Sequence, residues 1–96
     1  MTRIAFTRDT ALECARAAYP DARLVLSDDH EQYDDAIDLG GGLGIQIIAS
    51  RDGLYFAATL EHYDAAGNLE AVSHGDSYAA PMRAVFEARK LAEMHR

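Results

Sequence analysis

Apolar and polar positions alternate most regularly between Gly44 and Ser77. A period of two over runs rich in β-branched and aromatic residues predicts antiparallel strands with one buried face. Asp52-Gly53 interrupts the first run and predicts a two-residue type I′ hairpin loop, because both of its central positions need positive φ. That loop sets Arg51 opposite Leu54, Ala49 opposite Phe56, Ile47 opposite Ala58 and Ile45 opposite Leu60. The segment Asp64-Ala65-Ala66-Gly67-Asn68 predicts a second reversal, a type I turn followed by a left-handed glycine. It would pair Leu60 with Val72 and His62 with Glu70. The two turns together place Ile45, Ile47, Ala49, Leu54, Phe56, Ala58, Leu60 and Val72 on one apolar face.

The opposite face would carry Gln46, Ile48, Ser50, Tyr55, Ala57, Thr59, Glu61, Tyr63, Leu69, Ala71 and Ser73. It is more apolar than a solvated face requires. Two readings stand: tyrosines as half-exposed strand formers, or a surface that meets a partner or a second copy.

Outside this region the period lengthens towards that of a helix. Thr10 followed by Glu13 predicts a capping box, with Thr7 as the competing cap. Ala11, Leu12, Cys14, Ala15, Ala18 and Tyr19 then share one stripe, which Pro20 ends. A second helix is predicted over 77–94, capped by Asp76 or Ser77, with Pro81 in its first turn. Its stripe is Met82, Val85, Phe86, Ala88 and Ala92. Arg89 falls in the same stripe; its stem is expected on the sheet edge with its guanidinium reaching water or a carboxylate, the alternative being an anion or carboxylate clamp. Short strands are predicted at Arg23–Leu26 and Ala36–Leu39, with a weak edge strand over Met1–Phe6. The run Gly40-Gly41-Gly42-Leu43-Gly44 lacks a following Gly-Lys-Ser/Thr and leads into a strand, so it reads as a hairpin loop or bulge and not as a phosphate cradle. The predicted fold is a single α+β domain over 1–96. It comprises an antiparallel three- to five-stranded meander sheet with two helices packed on the face bearing Ile47, Phe56 and Leu60, in the rough order α-β-β-β-β-α.

Charge narrows the partners that such a domain could meet. Sixteen Asp and Glu against nine Lys and Arg give a net charge of −7 in 96 residues. Direct nucleic-acid binding is disfavoured, since affinity for phosphates comes from Lys and Arg. Asp21, Asp28, Asp29, Glu31, Asp34, Asp35 and Asp38 crowd one segment against the single Arg23, which favours a protein partner with a basic surface. One cysteine, Cys14, excludes an internal disulfide. With no apolar run of membrane-spanning length and no signal-peptide pattern in MTRIAFTRDT, the expectation is a soluble cytoplasmic chain.

Candidate chemistry adds little. His30, His62, His74 and His95 show no zinc spacing, and Asp28 to Asp35 lacks the central glycine and alternating ligands of an EF-hand, so no metal or cofactor is expected. His62 opposite Glu70 is the one predicted His–carboxylate pair. The order helix, three antiparallel strands, helix is similar to that of double-stranded-RNA-binding domains. Those domains open their last helix with lysines; here it begins Asp76-Ser77-Tyr78-Ala79-Ala80-Pro81, with no lysine before Lys90, so RNA contact is not implied.

The expected function is that of a non-catalytic acidic binding protein occupying a surface on a macromolecular partner. A small inhibitor from a phage or other mobile element, of the anti-CRISPR or antitoxin type, fits this expectation. Its expected contact residues are Asp28, Asp29, Glu31, Asp34, Asp35, Tyr55 and Tyr63. The alternative is a homodimeric accessory protein associating through the outer sheet face, and a third class is a small enzyme using His62 and Glu70.

Overall fold

A computed structural model describes residues 5–95. The chain runs α1 (Arg8–Ala18), β1 (Arg23–Val25), β2 (Asp35–Gly40), β3 (Leu43–Ser50), β4 (Gly53–Tyr63), β5 (Leu69–Tyr78) and α2 (Pro81–Met94). The five strands form one antiparallel meander in the order β1-β2-β3-β4-β5. The α+β class and the single packed face are as predicted, with the strand number at the upper end of the expected range. Of the suggested strand Met1–Phe6, Met1–Ile4 lie outside the described residues, and Ala5 and Phe6 are not in a strand.

Helix α1 starts where its backbone donors find partners. Thr7 is the N-cap: its hydroxyl accepts from the Thr10 amide at 3.1 Å, and the Thr10 hydroxyl accepts from the Thr7 amide at 2.8 Å. Thr10 therefore fills the third helical position of a box capped by Thr7, and Glu13 takes no part. The helix stops at Ala18 because Pro20 lacks an amide hydrogen and forces the preceding Tyr19 out of helical geometry.

Helix α2 begins at Pro81, not at Ser77. The sheet claims the residues expected to open it: Ser77 pairs with Ala57 and Tyr78 with Phe56. Ala80 is the N-cap and supplies no side-chain bond, while Pro81 presets φ for the first turn.

The β3–β4 hairpin differs from the predicted register by two residues. Ser50 pairs with Gly53, Ile47 with Phe56, Ile45 with Ala58 and Leu43 with Leu60. A type I′ loop would need positive φ at both central positions, and Arg51 and Asp52 have none; only Gly53 does, at 128°. A slip of two keeps every side chain on its face, so Ile45, Ile47, Phe56 and Ala58 are all fully buried.

The β4–β5 reversal forms as predicted, with Asp64 accepting from Gly67 at 3.0 Å and donating to Asn68 at 2.9 Å. Beyond it the pattern breaks. Tyr63 pairs with Leu69 but His62 pairs with Ala71, leaving Glu70 as an extra residue. A one-residue bulge inverts the facing of the residues that follow it, up to the next irregularity. Val72, expected on the apolar face, instead pairs with Glu61 on the outer face and is exposed. Ser73 turns inward beside Leu60. A second irregularity between His74 and Ser77 adds another residue to β5.

Both helices cover the face bearing Ile47 and Phe56. Ala11 and Ala15 of α1 join Ala84 and Val85 of α2 over Ile37, Ile45, Ile47 and Phe56, and Ala88 covers Leu43, Ala58 and Leu60. Alanine at these helix positions lets the backbone approach the sheet closely while the strands supply the bulk. The outer face has no covering layer among the described residues. No described helix is long and apolar enough to cross a membrane.

Candidate functional site

The acidic segment divides at Asp35. Its side chain is 3% exposed. One carboxylate oxygen accepts from the Ser27 amide at 2.7 Å and faces His30 Nε2 at 2.9 Å; the other accepts from Arg8 Nε at 2.7 Å. The Ser27 amide, then the His30 ring, outweigh the opposing effect of burial and, with Arg8, hold this carboxyl at about 2, below its ordinary 3.8. Asp35 thus joins the first residue of α1, the loop and β2, and presents almost nothing to a partner.

Asp28, Asp29, Glu31 and Asp34 are exposed, as is Tyr33 among them. The loop is locally organised: the Asp29 carbonyl accepts from the amides of Gln32 at 3.2 Å and Tyr33 at 2.8 Å, and its carboxylate accepts from the Glu31 amide at 3.1 Å. Asp34 accepts from the Gln46 side chain of β3 at 2.6 Å. The carboxylates therefore sit on a folded turn at one border of the outer face.

The structure does not bring Tyr55 and Tyr63 together. Eight residues apart on β4, they lie about 27 Å from each other at strand rise. Tyr55 is half-buried, pairs with Ile48 and donates to Asp52 at 2.6 Å. Tyr63 is 52% exposed and donates to Glu61 at 2.5 Å, and that carboxylate pushes the phenol up from its usual value. Leu69, its cross-strand partner, and Val72, beside Glu61, extend an apolar patch around it.

Next to that patch lies a trough of about 420 Å³ across β1 to β4, lined by Val25, Asp38, Gly42, Gly44, Glu61 and Tyr63 among others. Its floor lacks side chains for a steric reason. A Cβ on Gly44 would stand 3.1 Å from the Ile37 carbonyl, and one on Gly42, at φ 82°, would stand 3.3 Å from that of Glu61. Asp38 pairs with Arg23 at 3.3 Å on the wall.

Val25 and Asp38 carry no expected role here, and Val72 lies on the outer face and not on the apolar face its spacing predicts. Asp38 belonged to the visible acidic run; Val72 depends on the Glu70 bulge, which leaves no distinct mark in the sequence. His62 does not pair with Glu70. It contacts the Ser73 hydroxyl at 2.7 Å and packs edge-on against His95, with ring centroids 4.7 Å apart. Among the described residues, no three His, Cys, Asp or Glu side chains converge as metal ligands. No family model, curated protein or solved structure matches the chain.

Proposed function

We propose that this chain is a non-catalytic binding protein that occupies a basic surface of a protein partner with its outer sheet face and the acidic loop beside it. The observation that carries the reading is the uncovered patch of Tyr63, Leu69 and Val72, each 39% exposed or more, beside a trough that runs from Tyr63 past the carboxylates of Glu61 and Asp38 to Val25. An apolar centre with a charged rim is the usual anatomy of a contact surface, and the carboxylates select a cationic partner while steering its approach. Asp28, Asp29, Glu31 and Asp34 extend the negative border, whereas Asp35 holds the loop in shape. Tyr55 lies at the far end of the face and is assigned a peripheral contact.

A second copy suits the same face less well. A two-fold contact there would bring Asp34, Asp38 and Glu61 against their own like charges. Size, acidity and mode of action are in keeping with a small cytoplasmic inhibitor of the kind mobile elements carry, such as an anti-CRISPR or antitoxin-type protein.

Capture from native-host lysate tests the reading with three baits: the wild type, Asp28→Lys/Asp29→Lys/Asp34→Lys, and Tyr63→Ala/Leu69→Ala. A partner retained by the wild type and lost by both folded variants supports it. Equal retention by all three rejects both the face and the loop.

A further inference from the structure

A second surface lies on the other side of the molecule and is independent of the outer-face reading. Between the C-terminal end of α1 and the exposed side of α2 runs a cleft of about 410 Å³, lined by Ala17, Ala18, Tyr19, Met82, Phe86 and Arg89, with Val85 at its base. Phe86 and Met82 belong to the stripe expected to face the core, yet they are 59% and 36% exposed. Val85 and Ala88 are buried as expected, but Pro81 and Ala84 join them in place of Met82 and Phe86. Rotation of the helix towards its alanines leaves a large aromatic side chain beside a groove and not inside it.

The charges around this aromatic ring run against the rest of the chain. Phe86 also borders a neighbouring depression shared with Tyr78, Arg83, Glu87 and Lys90, so Arg83, Arg89 and Lys90 flank it, with Glu87 as the one acid among them. These are three of the nine Lys and Arg in a chain of net charge −7. Two acids share the helix: Glu87 accepts from the Asp76 amide and from the Tyr78 hydroxyl, and Glu93 lies 3.9 Å from Arg89 in an exposed pair open to exchange with an incoming carboxylate, so three cations against two acids leave α2 with an excess of one positive charge. The Arg89 guanidinium reaches water and the Glu93 carboxylate, as expected, while the side chain forms one wall of the cleft.

We infer that the cleft between α1 and α2 receives an acidic amphipathic helix from a second partner protein, with Phe86 as the apolar anchor and Arg83, Arg89 and Lys90 as the cationic rim. Two helices backed by the sheet, with alanines on the near wall, present a groove into which a third helix can lay its apolar residues at i, i+3, i+4 and i+7. Carboxylates on the flanks of that helix would meet the three cations, and a lysine-rich helix would be repelled by them.

The test is a titration of the isotopically labelled full chain, monitored by amide NMR, with two synthetic helical peptides of about 18 residues, roughly five turns. One has leucines at the spacing given and glutamates elsewhere; the other replaces every glutamate by lysine. The glutamate peptide is expected to move the Ala17, Ala18, Phe86 and Arg89 resonances. It should bind Phe86→Ala/Arg89→Glu about tenfold or more weakly, the loss of one buried anchor and one charge pair. Both substituted side chains are exposed, so the variant keeps its fold. Unmoved cleft resonances, or equal displacement of the cleft resonances by the lysine peptide, overturn the inference. So do cleft shifts on simple dilution of the protein, which would make a second copy the occupant.

Discussion

The carboxylate of Glu87, on α2, occupies the volume that a side chain on Gly75 of β5 would need. From there it accepts from the Asp76 amide at 2.8 Å and from the Tyr78 hydroxyl, and these two donors, Tyr78 foremost, hold its pKa below the usual carboxylate value. The pair stands where β5 carries its second irregularity, so the helix satisfies an amide beside a break in the regular ladder. Glu87→Ala is expected to cost about 1–3 kcal/mol through the lost hydrogen bonds. Gly75→Ala should cost a similar amount by expelling the carboxylate. Gly75 is not among the glycines with positive φ, so in the Glu87→Ala background the same change should be neutral or stabilise by up to about 1 kcal/mol. Urea denaturation of the four proteins measures this coupling; simple additivity would show that the two residues do not share the space.

Asp35 sets an acid limit on stability. Its carboxyl titrates near 2 in the folded chain against an ordinary 3.8, so folding favours the ionised form. The stabilisation is complete above about pH 4 and is lost as pH falls towards 2. Its upper bound is about 2 kcal/mol, reduced by the solvent that reaches the more exposed Arg8 and His30. Asp35→Asn should therefore flatten the fall in stability between pH 4 and 2, and also lower stability at pH 7. A variant as acid-sensitive as the wild type would contradict this role.

Val72 reports on the bulge at Glu70. On the outer face, Val72→Lys should change unfolding free energy by no more than about 0.5 kcal/mol. Beneath the helices, as an unbroken register would place it, the same change would bury a charge and cost several times more. Phe56→Ala, at a fully buried position, should cost about 3–5 kcal/mol. Chemical denaturation of both variants checks the assignment.

The uncapped start of α2 invites improvement. Ala80 has φ −97° and ψ 120°, the extended geometry that an N-cap adopts, but no side-chain acceptor. Ala80→Ser should add about 0.5–1 kcal/mol, read as a higher midpoint in thermal unfolding.

Most of the fold was legible because its strongest signals are local. Gly67 after Asp64 fixed one reversal, the Gly40-Gly41-Gly42 run allowed another, and the period of two separated Phe56 from Tyr55. The β3–β4 register was misread by two residues because Gly53 comes after the loop instead of sitting inside it, yet the faces survived the error. The features that stayed hidden depend on long-range pairing. Ser77 and Tyr78 look like a helix start until Ala57 and Phe56 claim them for the sheet. The bulge at Glu70, which exposes Val72, and the burial of Asp35 under Arg8 arise from contacts between distant segments. The acidic loop was visible as charge, but its division into one structural carboxylate and four exposed ones required the fold.

Photo-crosslinking from the outer face decides whether that face is the binding surface. A benzophenone amino acid at position 63, replacing the exposed Tyr63, is expected to form a covalent adduct with a protein partner in host cells, and the adduct should fade when Asp28, Asp29 and Asp34 are changed to lysine. The same probe at Glu13, on the exposed side of α1, should form none with that partner. Adducts from position 13 and none from position 63 would contradict the assignment of the uncovered sheet face as the binding surface.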